Sequence, residues 1–245
     1  MNELKKLAEF QTVLNNYQIS EAGKALLSQV RLVLLAAPTS SGRNTIIGEL
    51  LKRDLYHYIV SDTTRKPRIN DGKPEENGQQ YWFRSEQEVL DDLLAGRFLE
   101  AAIIHSQQVS GISLRELELA RQEEKIAITD IEVVGVQNIV EAKPDTTVIF
   151  VVPPTFDEWQ RRISGRGDMD PAEHVRRLTS SLHEFRHALD KPYYHFVVND
   201  GLDHAVEQID VLANNPAEAK SNDKNNRHVV EDLCAATAAY LDAKA

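Results

Sequence analysis

One cysteine, Cys234, stands in 245 residues, so the chain cannot close an intrachain disulfide. That suits a reducing cytoplasm, which is the expected location. Long apolar runs are missing too. Leu32 to Ala37 is apolar but falls far short of the ~20 residues that a membrane helix needs, and Met1-Asn-Glu-Leu-Lys-Lys lacks the apolar stretch of a secretory signal. No membrane partner is expected. Basic charge is in short supply: 28 Lys and Arg against 38 Asp and Glu leave a net charge of -10. Such a chain repels a phosphate backbone, which argues against nucleic acid as a partner. The 8 histidines show no metal spacing, because His183 and His187, four apart, have no third ligand at a useful distance. There is no internal repeat. What remains, 42% hydrophobic and 27% charged residues, suffices for one sizeable α/β domain with small appendages.

The most informative stretch present is Arg31-Leu-Val-Leu-Leu-Ala-Ala-Pro-Thr-Ser-Ser-Gly-Arg-Asn-Thr45: an apolar strand, a loop of small residues, then an apolar helix. A phosphate-cradling loop, G-x-x-x-x-G-K-[ST], would sit in this context. Gly42 is kept, whereas Ala37, Arg43 and Asn44 stand at the first glycine, the lysine and the hydroxyl. Taken alone, the segment reads equally as an ordinary strand-to-helix turn capped by Asn44 or Thr45.

Later segments weigh on that choice. Ser61-Asp-Thr-Thr-Arg-Lys-Pro-Arg68 sets Arg65 and Arg68 three apart, able to face one anion, and an acidic insertion with Glu75 leads to Tyr81-Trp82-Phe83. Trp82 and Phe83 read as core. Gly96-Arg-Phe-Leu-Glu100 follows, and the apolar strand Ile126 to Thr129 ends at Asp130, the position from which a carboxylate is placed beside a phosphate loop. Arg162 and Arg166 lie one turn apart, with Arg177 beyond. Singly, these arginines read as solvated helix faces, Glu100 as a surface charge at a strand end and Asp130 as a cap.

In series they resemble the guanylate kinase family across roughly residues 31 to 213. Its T-T-R-x-x-R is matched by Thr63 to Arg68, its N-G-x-x-Y-x-F by Asn77 to Phe83, and its G-x-F-[IL]-E by Gly96 to Glu100. D-I-D-x-x-G is met by Asp130-Ile131-Glu132-Val133-Val134-Gly135, R-L-x-x-R-G by Arg162 to Gly167, and V-x-N-D by Val197 to Asp200.

The resemblance implies a P-loop nucleoside monophosphate kinase fold: an α/β architecture with a parallel central sheet flanked by helices, a small acceptor-binding part near 61–113 and a helical lid near 160–180. It implies ATP as co-substrate, Mg2+ as cofactor and GMP as acceptor. Pro38, Thr39, Ser40, Ser41, Gly42, Arg43, Asn44, Thr45 and Asn199 would hold ATP. Arg65, Arg68 and Tyr81 would bind the acceptor phosphate, since an arginine fork grips phosphate bidentately. Ser61, Glu75, Glu100, Ser110 and Glu132 complete the GMP set; Glu100 would accept from the guanine N–H edge. Asp130 would orient magnesium through water, with Asn44 beside it. Arg43, Arg162, Arg166 and Arg177 would spread charge over the transferring phosphoryl group.

The departures are specific. Arg43 is wider and planar where the family has lysine, and Ser40 replaces a glycine. Ser110-Gly111-Ile112 stands for Y-G-[ST], Glu132 for an aspartate, and the insertion before Glu75 lengthens its loop. Slow turnover or an altered acceptor is the expected cost. The competing reading is a catalytically inactive module of this family that binds a nucleotide or a protein partner; a kinase for a different phosphorylated acceptor is the third.

Outside the matching span, residues 1–30 read as a helical extension with Ser20 capping its second helix. Residues 214–226 read as a linker, and Arg227 to Ala243 as a helix whose apolar face needs a partner: the N-terminal helices, or a second copy in a homodimer.

Overall fold

A computed structural model of the chain describes residues 4–70, 72–165, 167, 170–215 and 223–244. In chain order, α1 (Leu7–Asn15), α2 (Glu21–Leu27), β1 (Leu32–Ala36), α3 (Arg43–Leu50), β2 (Tyr56–Tyr58), β3 (Asp62–Thr63), β4 (Ile69–Asn70), β5 (Lys73–Pro74) and β6 (Trp82–Phe83) come first. Then follow α4 (Glu86–Leu94), β7 (Phe98–Ile104), β8 (Gln108–Ser113), α5 (Leu114–Gln122), β9 (Ile126–Asp130), α6 (Val133–Ala142) and β10 (Thr147–Val152). The chain closes with α7 (Phe156–Ser164), α8 (Pro171–Asp190), β11 (Tyr194–Val198), α9 (Leu202–Asn214) and α10 (Asp223–Asp242). No helix among the described residues is long and apolar enough to cross a membrane.

Two compact units result. The first gathers Met1–Arg31, Tyr56–Ala127 and Gln137–Pro144; the second gathers Leu32–Leu55, Ile128–Val136 and Asp145–Ala245. Strands of the second unit follow the order β11-β10-β1-β9. β10 runs parallel to both neighbours, with Val33 opposite Thr147 and Val148 opposite Tyr194. Every residue of β1 and β10 is buried, the continuous pattern of strands covered on both faces. Phe150 holds the core together through edge contacts with Phe185, Tyr194 and Phe196.

The first unit is built on a mixed sheet in the order β6-β3-β8-β7. Opposite residues of a ladder share a face, and alternate residues do so along a strand. Asp62 pairs with Gly111 and Ala101 with Gly111, while Thr63 pairs with Ser110, Ala102 with Ser110 and Glu100 with Ile112. Thr63, Ser110, Ala102 and Glu100 therefore present to one face. On the other side Leu4 and Phe10 join Val89, Leu90, Leu93, Phe98 and Val109 in one apolar cluster. The N-terminal helices are thus part of this unit: α1 packs on α4 and β7, and α2 on α5. Ser20 does cap α2, accepting from Gly23 N–H. Tyr17 pins the extension at the start of β7, its hydroxyl donating to Phe98 O at 2.6 Å and accepting from Phe98 N–H at 2.7 Å. Burial pushes that phenol up to about 12. Gly96, at φ 64, lies so close beneath the extension that a Cβ would strike Gln18 O and Ser20 N.

The C-terminal helix differs from expectation in bounds and partner. It begins at Asp223, four residues before Arg227, and ends at Asp242; residues 216–222 of the expected linker lie outside the described residues. Its apolar face is covered within the second unit, by α7, α8 and β11. Val230, Leu233 and Thr237 are buried there, and Tyr240 meets Phe156 and His174. A side-chain amide from Asn226 and a guanidinium from Arg227 satisfy the carbonyls of Phe196 and Leu189.

Candidate active site

In the second unit, the loop between β1 and α3 is held by two side chains, one of them braced by a third. Asn199, just past β11, donates from Nδ2 to Ser41 O at 2.8 Å. Trp159 of α7, fully buried, donates from Nε1 to Thr39 O at 2.7 Å. Arg162 donates to Asn199 O at 3.0 Å and to Glu158 at 2.8 Å, which fixes the strand end that carries Asn199. Anchored this way, the loop takes two left-handed residues, Ser40 at φ 61 and Gly42 at φ 91. Gly42 has no room for a side chain because Asn199 lies against it. Ser40 occupies a conformation in which glycine is far more comfortable, so the replaced glycine of the sequence comparison sits where backbone freedom is used.

The loop's inner surface is polar and unsatisfied. The Oγ atoms of Ser40 and Ser41 are buried with no hydrogen-bond partner, and Gly42 gives α3 no side-chain cap, leaving its first N–H groups open. Unpaired donors at a helix N-terminus form a receptor for an anion. Arg43, however, does not reach into the loop: its Nη2 donates to Asp130 Oδ2 at 2.6 Å, and its Nε leans toward Asn44 Oδ1 at 3.4 Å. Pro38 and Thr45 border the same turn, with Thr45 in the first turn of α3.

Along α8 a cleft of about 190 Å³ runs from Arg176 and Arg177 to Thr39. Arg177 is held at its mouth by Glu173, Nε to Oε1 at 2.8 Å. Glu184, at the other end, has Oε2 buried without a partner; burial first, then Glu132, pushes this carboxyl up to about 7 against the pull of Arg43. Arg166 lies outside the described residues.

In the first unit, the acceptor residues fall into three groups. Arg65 and Glu75 form a bidentate pair at 2.5 and 2.9 Å, while Arg65 stacks 4.7 Å from the ring centre of Tyr81 and 5.4 Å from that of Phe83. Glu75 also accepts from Arg68 N–H, so the lengthened loop brings Glu75 back onto both arginines. Its carboxyl falls to about 2, chiefly through Arg65. Ser110 donates to Thr63 Oγ1 at 2.9 Å. Glu100, on the same sheet face as Ser110, borders a separate cavity of about 520 Å³ with Tyr17, Lys24 and Glu141; burial pushes it up to about 7. Ser61 accepts Trp82 N–H through its carbonyl. Glu132 belongs to the second unit, exposed at the start of α6.

Sequence reasoning passed over Trp159, Glu184 and a buried network behind the acceptor face. Glu116, 2% exposed, accepts from Val60 N–H and from Trp82 Nε1, and stands 3.6 Å from His57. Asp62, 1% exposed, is flanked by Arg84 and Arg115. The spacing of Phe156, Trp159 and Ile163 marks a buried helix face, but nothing in the sequence marks the indole N–H as a loop anchor.

Comparison with known proteins gives a consistent result. The family model described as guanylate kinase matches residues 28–215. A guanylate kinase of Corynebacterium glutamicum is 34% identical over 186 residues, 74% of this chain and 94% of the relative. One from Trichormus variabilis is 34% identical over 187 residues, 75% of this chain and 89% of the relative. Among solved structures, the guanylate kinase of Anaplasma phagocytophilum superposes with a TM-score of 0.55 at 22% identity, covering 76% of this chain and 86% of that one, and so shares the fold.

Proposed function

The chain belongs to the guanylate kinase family, a family of phosphotransferases, and from that membership we propose that it transfers the terminal phosphoryl group of ATP to GMP, giving ADP and GDP. The observation that supports this most is the anchored loop: Asn199 and Trp159 hold its carbonyls outward, while two buried hydroxyls and the open end of α3 remain unsatisfied inside it. A phosphate chain supplies the acceptors those groups lack.

The remaining roles follow from charge and placement. Phosphoryl transfer needs positioning and charge stabilisation more than covalent assistance. Arg177 already faces the cleft that reaches Thr39, where its guanidinium would neutralise the transferring group. Arg65, Arg68 and Tyr81 would take the acceptor phosphate, with Arg65 exchanging the Glu75 carboxylate for it. Glu100 would read guanine by accepting from its N–H groups. Among the described residues no cluster of three His, Cys, Asp or Glu could hold a metal by itself. Magnesium commonly takes one or two carboxylates and fills its shell with phosphate oxygens and water, so Asp130 with Asn44 suits it once Arg43 turns from Asp130 to phosphate. When bound, it would neutralise charge on the phosphate chain.

The Arg43–Asp130 pair also favours a second reading, an inactive module that binds nucleotide, because it occupies both the loop cation and the candidate magnesium ligand. A coupled ADP-release assay with ATP, magnesium and a panel of nucleoside monophosphates decides. Turnover restricted to GMP supports the kinase; saturable nucleotide binding without ADP release supports the module.

A further inference from the structure

A cavity of about 1230 Å³ opens in the first unit, where the N-terminal segment, the end of β3, the start of α4 and the β7–β8 hairpin meet. It exceeds the ~300–1,000 Å³ usual for a small-ligand site. Its lining is strongly cationic: Lys5, Lys6, Arg65, Lys66 and Arg68, with His105 beside them and Glu86 as the only carboxylate among the lining residues. Glu86 is committed elsewhere, since its two oxygens accept the backbone N–H groups of Lys5 at 3.2 Å and Lys6 at 2.8 Å. Arg65 is paired with Glu75, and Lys6 reaches Glu9. Arg68 shares Glu75 with Arg65, whereas Lys5 and Lys66 have no carboxylate within ion-pair distance among the described residues, so the charge of these two lysines is open to a ligand.

The wall carrying these charges is built rather than loose. Leu4, 6% exposed, is buried in the apolar cluster, and its N–H donates to Ser106 O. The hairpin it ties down holds two consecutive non-glycine residues in left-handed conformation, His105 at φ 50 and Ser106 at φ 58. Lys5 and Lys6 thus have fixed backbones on one side of the cavity, with Lys66 and Arg68 rising from the segment after β3. Of the residues proposed for the acceptor, Arg65 and Arg68 line it, whereas Ser61, Tyr81, Glu100 and Ser110 do not. Lys5 and Lys6 also precede residues 28–215, the span that matches the family.

We propose that the N-terminal extension completes an oligophosphate-binding site beside the acceptor arginines, in which Lys5, Lys6 and Lys66 grip a chain of linked phosphates. Opposed cations suit several linked charges better than one, and the lysines act as point charges that need no fixed angle of approach. Being solvent-exposed, the site weakens as salt rises.

Titration calorimetry on the full chain with inorganic tripolyphosphate tests this, comparing wild type with Lys5→Ala/Lys66→Ala. The expected result is saturable binding by wild type, weakened at least tenfold in the double variant, with GMP affinity changed less than twofold. A parallel titration with GTP tells whether the site also takes a nucleotide-borne chain: with tripolyphosphate weakened, a matching loss for GTP means that it does, and unchanged GTP binding means that it takes the free chain alone. The proposal is overturned if wild type binds no tripolyphosphate at millimolar concentration. It is equally overturned if the double variant binds it as wild type does, which would put the ligand at the β1–α3 loop. None of these outcomes depends on phosphoryl transfer to GMP.

Discussion

Arg43 Nη2 lies 2.6 Å from Asp130 Oδ2, so the cation of the phosphate loop is held by the carboxylate at the end of β9. Both side chains are about one quarter exposed, at 24% and 28%, and the pair joins the first residue of α3 to the last residue of β9, the strand beside β1 in the sheet order. Arginine reaches this far because its guanidinium is long and forked. A lysine ammonium at the same place is a smaller point charge that turns more readily toward phosphate.

Replacing Arg43 with lysine is therefore expected to free Asp130 and raise turnover, by about tenfold if exchange of the ion pair contributes ~1.4 kcal/mol to the barrier. Steady-state ADP release checks it. An unchanged or lower rate would mean that the loop depends on arginine.

Ser40→Gly is expected to stabilise the protein. At φ 61 a side chain costs about 1 kcal/mol that glycine does not incur. The Ser40 hydroxyl has no partner in the loop, so no hydrogen bond is lost in return. Thermal or urea unfolding should show a higher midpoint, and a lower one would show that the hydroxyl contributes more than the strain.

Binding of GMP should strengthen as pH rises through neutrality. Burial pushes Glu100 up to about 7, so below that pH it is protonated and cannot accept from both guanine donors, and affinity falls by up to ~tenfold per unit. The GMP phosphate titrates near this range in every variant. Glu100→Gln should therefore retain only that common slope and bind more weakly than wild type at pH 8. Parallel slopes for the two proteins would exclude Glu100 from base recognition.

Glu116→Gln is expected to cost about 2 kcal/mol, because Val60 N–H and Trp82 Nε1 each use a different carboxylate oxygen and an amide leaves one donor facing an NH2. The pH dependence has a definite shape. His57 is raised from 6.5, chiefly by Glu116 and against burial, so its contribution is complete below 6.5 and is lost as pH rises through the raised value. Burial pushes Glu116 up, but His57, Val60 and Trp82 outweigh it and leave it below 4.5. Its contribution is present above 4.5 and lost as pH falls through the lowered value. Stability from the pair thus peaks between these limits, and unfolding across pH should show a flatter curve in Glu116→Gln.

Much of the fold could be read from residue order, because strands buried on both faces are apolar throughout and the phosphate loop lies between such a strand and a helix. Family membership rested on short runs such as Thr63 to Arg68 and Gly96 to Glu100, whose side chains are local to one turn or strand. The strain at Ser40 was legible too: a motif position requiring glycine states a backbone conformation.

Pairings between distant segments were not legible. Residue type makes Arg43 a cation and Asp130 an anion, but only the tertiary placing of the start of α3 against the end of β9 brings them to 2.6 Å. The Asn199 and Trp159 anchors depend on strand and helix ends that lie 158 and 120 residues from the loop carbonyls they hold. The face of α10 announced that it needed a partner, yet its composition suited α7, α8 and β11 no better than another helix or a second copy. Apolar surface attracts any apolar surface, so periodicity tells which face is buried; the chain's path through space decides against what.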